Sequence, residues 1–313
     1  MSRIAVASRS FNRNATLRAE LSARYPHVTF HNGPTVLDGD ELVELLTGHD
    51  MAIVGLERID DAILDRVPEL TVISKYGVGL DGLDIDAIAR RGIKLGWTGG
   101  VNRRSVAELT MAFAIALLHR VPETWTALRA GTWQRCIGRQ LTGRTVGIIG
   151  CGFVGKDLVS LLAPFHCRVL AHDIRDYADF YRANGVTPVS LDRLLAEADI
   201  VTLHVPLDRS TRGMIGAAEL SKMRRGAMLI NAARGGLVDE EALAAALESG
   251  HLAGAACDVF NVEPDAHPTL LAQPTFLATP HIGGSTEEAQ LAMGRAAIDG
   301  LQNNRVPGNG WPC

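Results

Sequence analysis

The sequence predicts an α/β protein made of two doubly wound parallel-sheet domains. Three observations carry that expectation. Short apolar runs alternate with helix-length stretches, the pattern of consecutive βαβ units. The alternation occurs as two separate series along the chain. The length of 313 residues with 47% hydrophobic content exceeds what one core holds, since single cores stop growing near roughly 250–300 residues.

The first series places strands at Ile4–Ser8, Val28–His31, Met51–Gly55, Thr71–Ser74 and Ile93–Trp97, with helices including Asn12–Arg24 and Asp84–Arg91. The second places strands at Thr145–Gly150, Arg168–Asp173, Asp199–Val205, Ala227–Ala233, Gly254–Phe260 and Thr275–Thr279. Six strands with crossover helices complete a doubly wound domain. Between the series, Ser105–His119 is apolar on nearly every side and predicts a helix buried all round. It is expected to cross from one domain to the other, with Gly99 and Gly100 before it as a hinge candidate. Ser285–Asn303 reads as a helix that returns the chain to the first domain.

Charge and cysteine content narrow the function classes. A net charge of −4 without a long basic run argues against a nucleic-acid partner, which would show as a clustered Lys/Arg face. Cys136, Cys151, Cys167, Cys257 and Cys313 are scattered and form no C-x-x-C pair, so neither a disulfide framework nor a metal site is indicated. The N-terminal apolar run is too short for a secretory segment, and no stretch of about 18 apolar residues occurs. These readings predict a cytoplasmic protein with no membrane partner.

Gly150-Cys-Gly152-Phe-Val-Gly155 lies between a predicted strand and a helix-like run, Lys156–Leu162. In such a loop the first glycine permits the tight turn, the second lets a pyrophosphate approach the backbone, and the third lets the helix pack on the strand. Asp173 ends the next strand at the offset where an acid meets a ribose diol, which predicts NAD rather than NADP. Arg175, two residues later, is the one feature that pulls the other way.

Arg234, Glu263 and His281 each follow a strand of the second series. Ligands gather beyond such carboxyl ends in open α/β sheets. Hydride delivery to a ketone builds charge on oxygen, so a cation and an acid at that atom favour the transition state. A carboxylate beside an imidazole fixes its tautomer and favours its acid form. The three residues are therefore candidates for reduction of a 2-keto acid. Gly77, Val78 and Gly79 are backbone candidates for the substrate carboxylate. His119, His172 and His204 lack such a setting and read as structural.

The chain resembles the D-isomer-specific 2-hydroxyacid dehydrogenases, whose members include phosphoglycerate dehydrogenases. The resemblance rests on Lys75-Tyr-Gly-Val-Gly-Leu-Asp81, Ser105-Val-Ala-Glu-Leu109, the Gly150–Gly155 loop, Val205-Pro-Leu with Thr211, Asn231-Ala-Ala-Arg-Gly-Gly-Leu-Val-Asp239, Asp258-Val-Phe with Glu263-Pro, and Thr279-Pro-His-Ile-Gly-Gly284. It implies two Rossmann-like domains with an interdomain cleft: residues 1–100 with 285–313 as a flavodoxin-like substrate domain, and 101–284 as the NAD-binding domain. It implies that Arg234 holds the substrate carboxylate and polarises the carbonyl, that His281 is the acid-base group, and that Glu263 pairs with it.

Cofactor contacts are implied at Gly150, Gly152, Phe153, Val154, Gly155 and Asp173. Further along they fall at Val205, Pro206, Thr211, Ala232 and Gly283, with Asp258 near the nicotinamide carboxamide. A homodimer through the cofactor domain and domain closure over a small 2-hydroxy or 2-keto acid complete the expectation.

Several positions depart from the family pattern. Gly96-Trp97-Thr98 stands where Asn-Thr-Pro is common, putting a large aromatic near the hinge candidate. Arg58 is displaced from the usual phosphoglycerate-binding position and joined by Glu57. Arg103 and Arg104 would bind a second anionic group if they faced the substrate, and would be solvated helix-end residues if not. A non-catalytic NAD-sensing protein, such as corepressors of this fold, and a dehydrogenase acting on a phosphorus-containing acid stay open as alternatives.

Overall fold

The computed structural model describes residues 2–308 and Trp311, so Cys313 lies outside the described residues. The chain divides into two compact units, one formed by Met1–Asn102 with Ser285–Cys313 and the other by Arg103–Gly284.

In the first unit, five short strands, β1 (Ile4–Val6), β2 (Val28–Phe30), β3 (Met51–Val54), β4 (Val72–Lys75) and β5 (Lys94–Gly96), form a sheet in the order β2-β1-β3-β4-β5. Every pair is parallel, so all five carboxyl ends share one edge. The strands are apolar on both faces because helices cover both. Leu42, Leu46, Ile63, Ile88 and their neighbours pack one side; Phe11, Leu17, Leu21, Met293 and Ile298 pack the other.

The helix expected at Asn12–Arg24 is two helices, Arg9–Arg13 and Ala15–Arg24. Asn14 breaks the run, because its extended backbone and its side chain, which accepts from Leu17 N, cap the second helix. The helix Glu287–Gly300 belongs to this unit. Gly96 and Gly300 allow it to touch β5, since a methyl group on Gly96 would collide with Gly300 O.

The second unit contains seven strands, one more than its pattern predicts. They are β6 (Thr145–Ile149), β7 (Arg168–His172), β8 (Thr187–Pro188), β9 (Ile200–Leu203), β10 (Met228–Asn231), β11 (Gly254–Cys257) and β12 (Phe276–Ala278). Their order is β12-β11-β10-β9-β6-β7-β8, all parallel. The extra strand, β8, has two residues, too short to carry a period. The chain order reverses between β6 and β9, and ligands of doubly wound sheets bind beyond the strand ends at that switch.

The helix Arg103–Leu118 lies wholly in this unit and does not cross between units. It is also not buried all round: Glu108, Ala112 and Ile115, spaced four and three apart, are exposed, while Val106, Thr110, Met111, Phe113, Ala114 and Leu117 are buried. Its many alanines and the exposed Ile115 hide the exposed face from a hydrophobicity reading. Among the described residues, no single helix is long and apolar enough to cross a membrane, and no group of three or more metal-ligating side chains occurs. Cys136, Cys151, Cys167 and Cys257 are free thiols.

Candidate active site

The glycine loop leaves β6 and enters the helix Phe153–Leu162. Gly150 has φ 90°, and a methyl group there would lie 2.6 Å from His204 O. One on Gly155 would collide with Gly150 O. Both positions therefore need glycine for the turn and the close approach. Gly152 differs, because a methyl group there would meet nothing within 4 Å, leaving open space beside the backbone.

Gly152 caps the helix without a side-chain hydrogen bond, and no acid occupies the first turn, so nothing there opposes an anion at the helix dipole. Asp173 follows β7 and faces the loop: Oδ2 accepts from Cys151 N at 2.7 Å and Oδ1 from Arg175 N at 2.8 Å. Each oxygen keeps a second lone pair. Asp173 also lines a depression of about 270 Å³ with Ile174, Tyr181 and Val189.

Two titratable neighbours of the loop carry no charge. Burial pushes the Cys151 thiol up to about 11, so it stays protonated. Burial pushes the His204 imidazole down to about 3, so it is neutral. Its Nε2 lies 3.0 Å from Thr202 Oγ1. Phe153 is exposed and Val154 half-buried at the start of the helix. Beyond β9, Val205 is half-buried and Pro206 exposed, while Thr211 Oγ1 donates to Pro206 O at 2.7 Å and closes their turn. Ala232 is buried just past β10.

Arg234, Glu263 and His281 follow β10, β11 and β12 in turn. Asn231 shapes the first exit: its Nδ2 donates to Arg234 O at 2.8 Å and its Oδ1 accepts from Ala233 N at 3.1 Å. Gly235 then packs on the second exit, where a methyl group would collide with Phe260 O. Gly236 N donates to Asn261 Oδ1 at 2.5 Å, and Asn261 N donates to Glu240 Oε1 at 2.7 Å. Arg234 Nη1 donates to Ala233 O at 2.7 Å.

Glu263 is held by one oxygen and used by the other. Its Oε1 accepts from Phe260 N at 3.1 Å, and its Oε2 lies 2.9 Å from His281 Nδ1. A carboxylate at Nδ1 favours the tautomer whose proton is on that nitrogen and leaves Nε2 for exchange with a ligand. The imidazole is about half exposed, at 48%, so the pair is open to solvent and substrate.

The third exit depends on Asp258, which is 1% exposed. Its Oδ1 accepts from Thr279 Oγ1 at 2.5 Å and Ile282 N at 2.7 Å, its Oδ2 accepts from Gly283 N at 2.7 Å, and its backbone O accepts from His281 N at 2.8 Å. His281 sits at φ 53°, a left-handed conformation that disfavours a non-glycine residue by about 1–2 kcal/mol. The four bonds to Asp258 hold it there. The resemblance implies a place for Asp258 near the nicotinamide carboxamide, and its carboxylate oxygens accept from the His281 loop. An Asp a few residues before Glu263 carries no sequence signal for that work.

In the first unit, Gly77, with φ 104°, Val78 and Gly79 follow β4. Trp97 supports them, its Nε1 donating to Val78 O at 3.0 Å, which gives the unusual aromatic a structural reason. Lys75 Nζ donates to Gly55 O at 2.5 Å and Tyr76 O at 3.1 Å. Glu57 is buried and accepts from Gly55 N. It takes the inward position, and Arg58 is 75% exposed beside Asp60 at 3.3 Å. Arg103 and Arg104 pair with Asp157 at 3.9 and 3.0 Å at the start of their helix.

A family model described as D-isomer specific 2-hydroxyacid dehydrogenase, NAD binding domain, matches residues 111–283. The chain belongs to that family, and this segment is its NAD-binding domain. The chain is 36% identical over 270 residues to a hydroxypyruvate reductase of Thermotoga maritima, covering 84% of this chain and 87% of the relative. It is 36% identical over 272 residues to a D-3-phosphoglycerate dehydrogenase of Methanocaldococcus jannaschii, covering 86% of this chain and 52% of the relative.

The chain thus spans about half the length of the phosphoglycerate dehydrogenases it matches. A protein of known structure from Thermus thermophilus superposes with a TM-score of 0.84 at 34% identity, covering 98% of this chain and 99% of that one. The open backbone at Gly152, the uncapped helix and Asp173 fit NAD. The loop would hold the pyrophosphate and Asp173 a ribose diol.

Asp258→Asn keeps the shape but removes charge and one acceptor. Unfolding free energy measured in denaturant should fall by about 2 kcal/mol, the scale of bonds to a charged group. An unchanged value would contradict the clamp.

Proposed function

We propose that the protein is an NAD-dependent oxidoreductase that interconverts a D-2-hydroxy acid and its 2-keto acid. The observation that carries this reading is the 2.9 Å contact between His281 Nδ1 and Glu263 Oε2 within the NAD-binding unit. NAD supplies or accepts the hydride when bound. In reduction His281 gives its Nε2 proton to the carbonyl oxygen, and in oxidation it takes the hydroxyl proton back. Glu263, itself held by Phe260 N, accepts from Nδ1 and holds the ring. Arg234 receives the substrate carboxylate and polarises the carbonyl, an interaction that strengthens as charge develops on oxygen.

The active form in this reading is a homodimer through the cofactor domain. Its support is an apolar surface on the helix Val121–Arg129, where Val121, Trp125 and Leu128 are exposed, continued by Trp133 and Ile137. Monomers rarely expose a contiguous apolar surface of this kind.

Two measurements check these assignments. With NADH and glyoxylate or hydroxypyruvate, His281→Ala should lower kcat by about a hundredfold or more, and Arg234→Gln should lower kcat/KM by a similar factor. NADH loss that persists unchanged in His281→Ala would remove the proton donor from the account. Tight NADH binding with no turnover of any keto acid would favour a sensor. In sedimentation velocity the 33.5 kDa chain should run as a dimer, and Trp125→Glu with Leu128→Glu as a monomer. A monomeric parent protein would exclude the dimer.

A further inference from the structure

We propose that a cavity in the first unit, lined by Arg9, Asn12, Arg13 and His31, binds a hydroxylated phosphate or carboxylate anion. The cavity measures about 240 Å³, with Asn32 and Gly33 completing its wall. It forms where the chain leaves β1 and β2, at the same edge of the parallel sheet as Gly77–Gly79 but toward the opposite side.

The charge is one-signed. Arg3, Arg9, Arg13 and Arg18 occur between Ser2 and Ala19 without an acidic residue, and none of the described lining residues is acidic. Glu20, the first acid, is paired with Arg295 at 2.8 Å. Guanidinium groups present forked donors that match phosphate and carboxylate oxygens. Arg9 reaches the site anchored by Nη1 to Pro34 O at 2.8 Å, and the Arg13 side chain is exposed. Arg18 braces the wall by donating to Asn32 Oδ1 at 3.0 Å while its guanidinium covers the Phe30 ring at 4.1 Å.

Asn12 adds a second, independent indication. It is 8% exposed, and its Nδ2 donates to Val6 O at 2.9 Å and His31 O at 2.7 Å. Two carbonyl acceptors fix which end of the carboxamide is nitrogen. Oδ1 is thereby left buried with no partner. Buried polar atoms are rarely left so, and an acceptor among cations calls for a ligand that brings a hydroxyl as well as a charge. The His31 ring lies against Gly33, where a methyl group would collide with its Cε1.

Two sources supply such an anion. β1 lies two strand spacings from β4, so a molecule reaching from Gly77–Gly79 to the cavity must span about 10 Å, more than a three-carbon acid. The anion is either the phosphorylated end of a longer sugar-acid substrate, which rests on the function proposed above, or a separate sugar phosphate-like effector.

Calorimetric titration of the full chain with glycerol 3-phosphate, and with glycerol as the uncharged control, decides the site. Glycerol 3-phosphate should bind and glycerol should not, and Arg9→Gln with Arg13→Gln should weaken binding by about tenfold or more. The exposed Arg13→Gln change alone serves if the double variant does not fold. Glycerol 3-phosphate binding no better than glycerol, or binding to the variants as tightly as to the parent, would overturn the proposal.

The source follows from kinetics. A raised KM for a phosphorylated keto acid longer than three carbons in the double variant, with the glyoxylate KM unchanged, identifies a substrate tail. Binding of glycerol 3-phosphate unaltered by saturating oxalate identifies an effector. Absence of turnover with every keto acid in the parent protein would defeat the oxidoreductase reading while the titration still decides the site.

Discussion

The buried carboxylate of Asp258 is the interaction on which the site's geometry turns. His281 occupies a left-handed backbone conformation that its own side chain does not favour. Asp258 holds the flanking amides of Ile282 and Gly283, the Thr279 hydroxyl and, through its carbonyl, the His281 amide. A single residue leaving β11 thus fixes the loop leaving β12. Glu263, six residues past the same strand, then meets the imidazole at a set distance. The contact between Glu263 and His281 follows from two adjacent parallel strands being in register, with the Asp258 carboxylate engaged by backbone and the Glu263 carboxylate by the ring.

The same economy shapes the cofactor loop. Three glycines occupy three different environments: one turns the chain against His204, one packs the helix on the loop, and the middle one faces open space. Asp173 reaches back to the loop's amide and so couples the end of β7 to the glycine turn. The glycine loop leaves β6 at the switch between β6 and β9, and Asp173 follows the adjacent β7; in an all-parallel sheet both lie at the same edge as the Arg234, Glu263 and His281 exits.

Much of this was legible in the sequence, for identifiable reasons. The strands of the second unit are buried on both faces and read as continuous apolar runs, and the glycine spacing and Asp173 offset are short-range signals. Arg234, Glu263 and His281 stand out in the sequence because each follows such a run. What escaped is long-range or too brief to carry a period. Asn14 split a helix by capping it, and β8 has two residues. The alanine-rich helix Arg103–Leu118 concealed its exposed face. The bond from Trp97 to Val78 spans 19 residues, and the bonds from Asp258 span 21 to 25. The pairing of Arg103 and Arg104 with Asp157 likewise needed the fold.

The central claim is D-specific hydride exchange between NAD and a 2-hydroxy acid. It is tested most directly by supplying NADH deuterated at the transferring position together with pyruvate or hydroxypyruvate. Chiral separation with mass spectrometry then reads the product. The account predicts one deuterium at C2 of the D-hydroxy acid. Label in the L-enantiomer, or label that never leaves the nicotinamide for any keto acid, would contradict it.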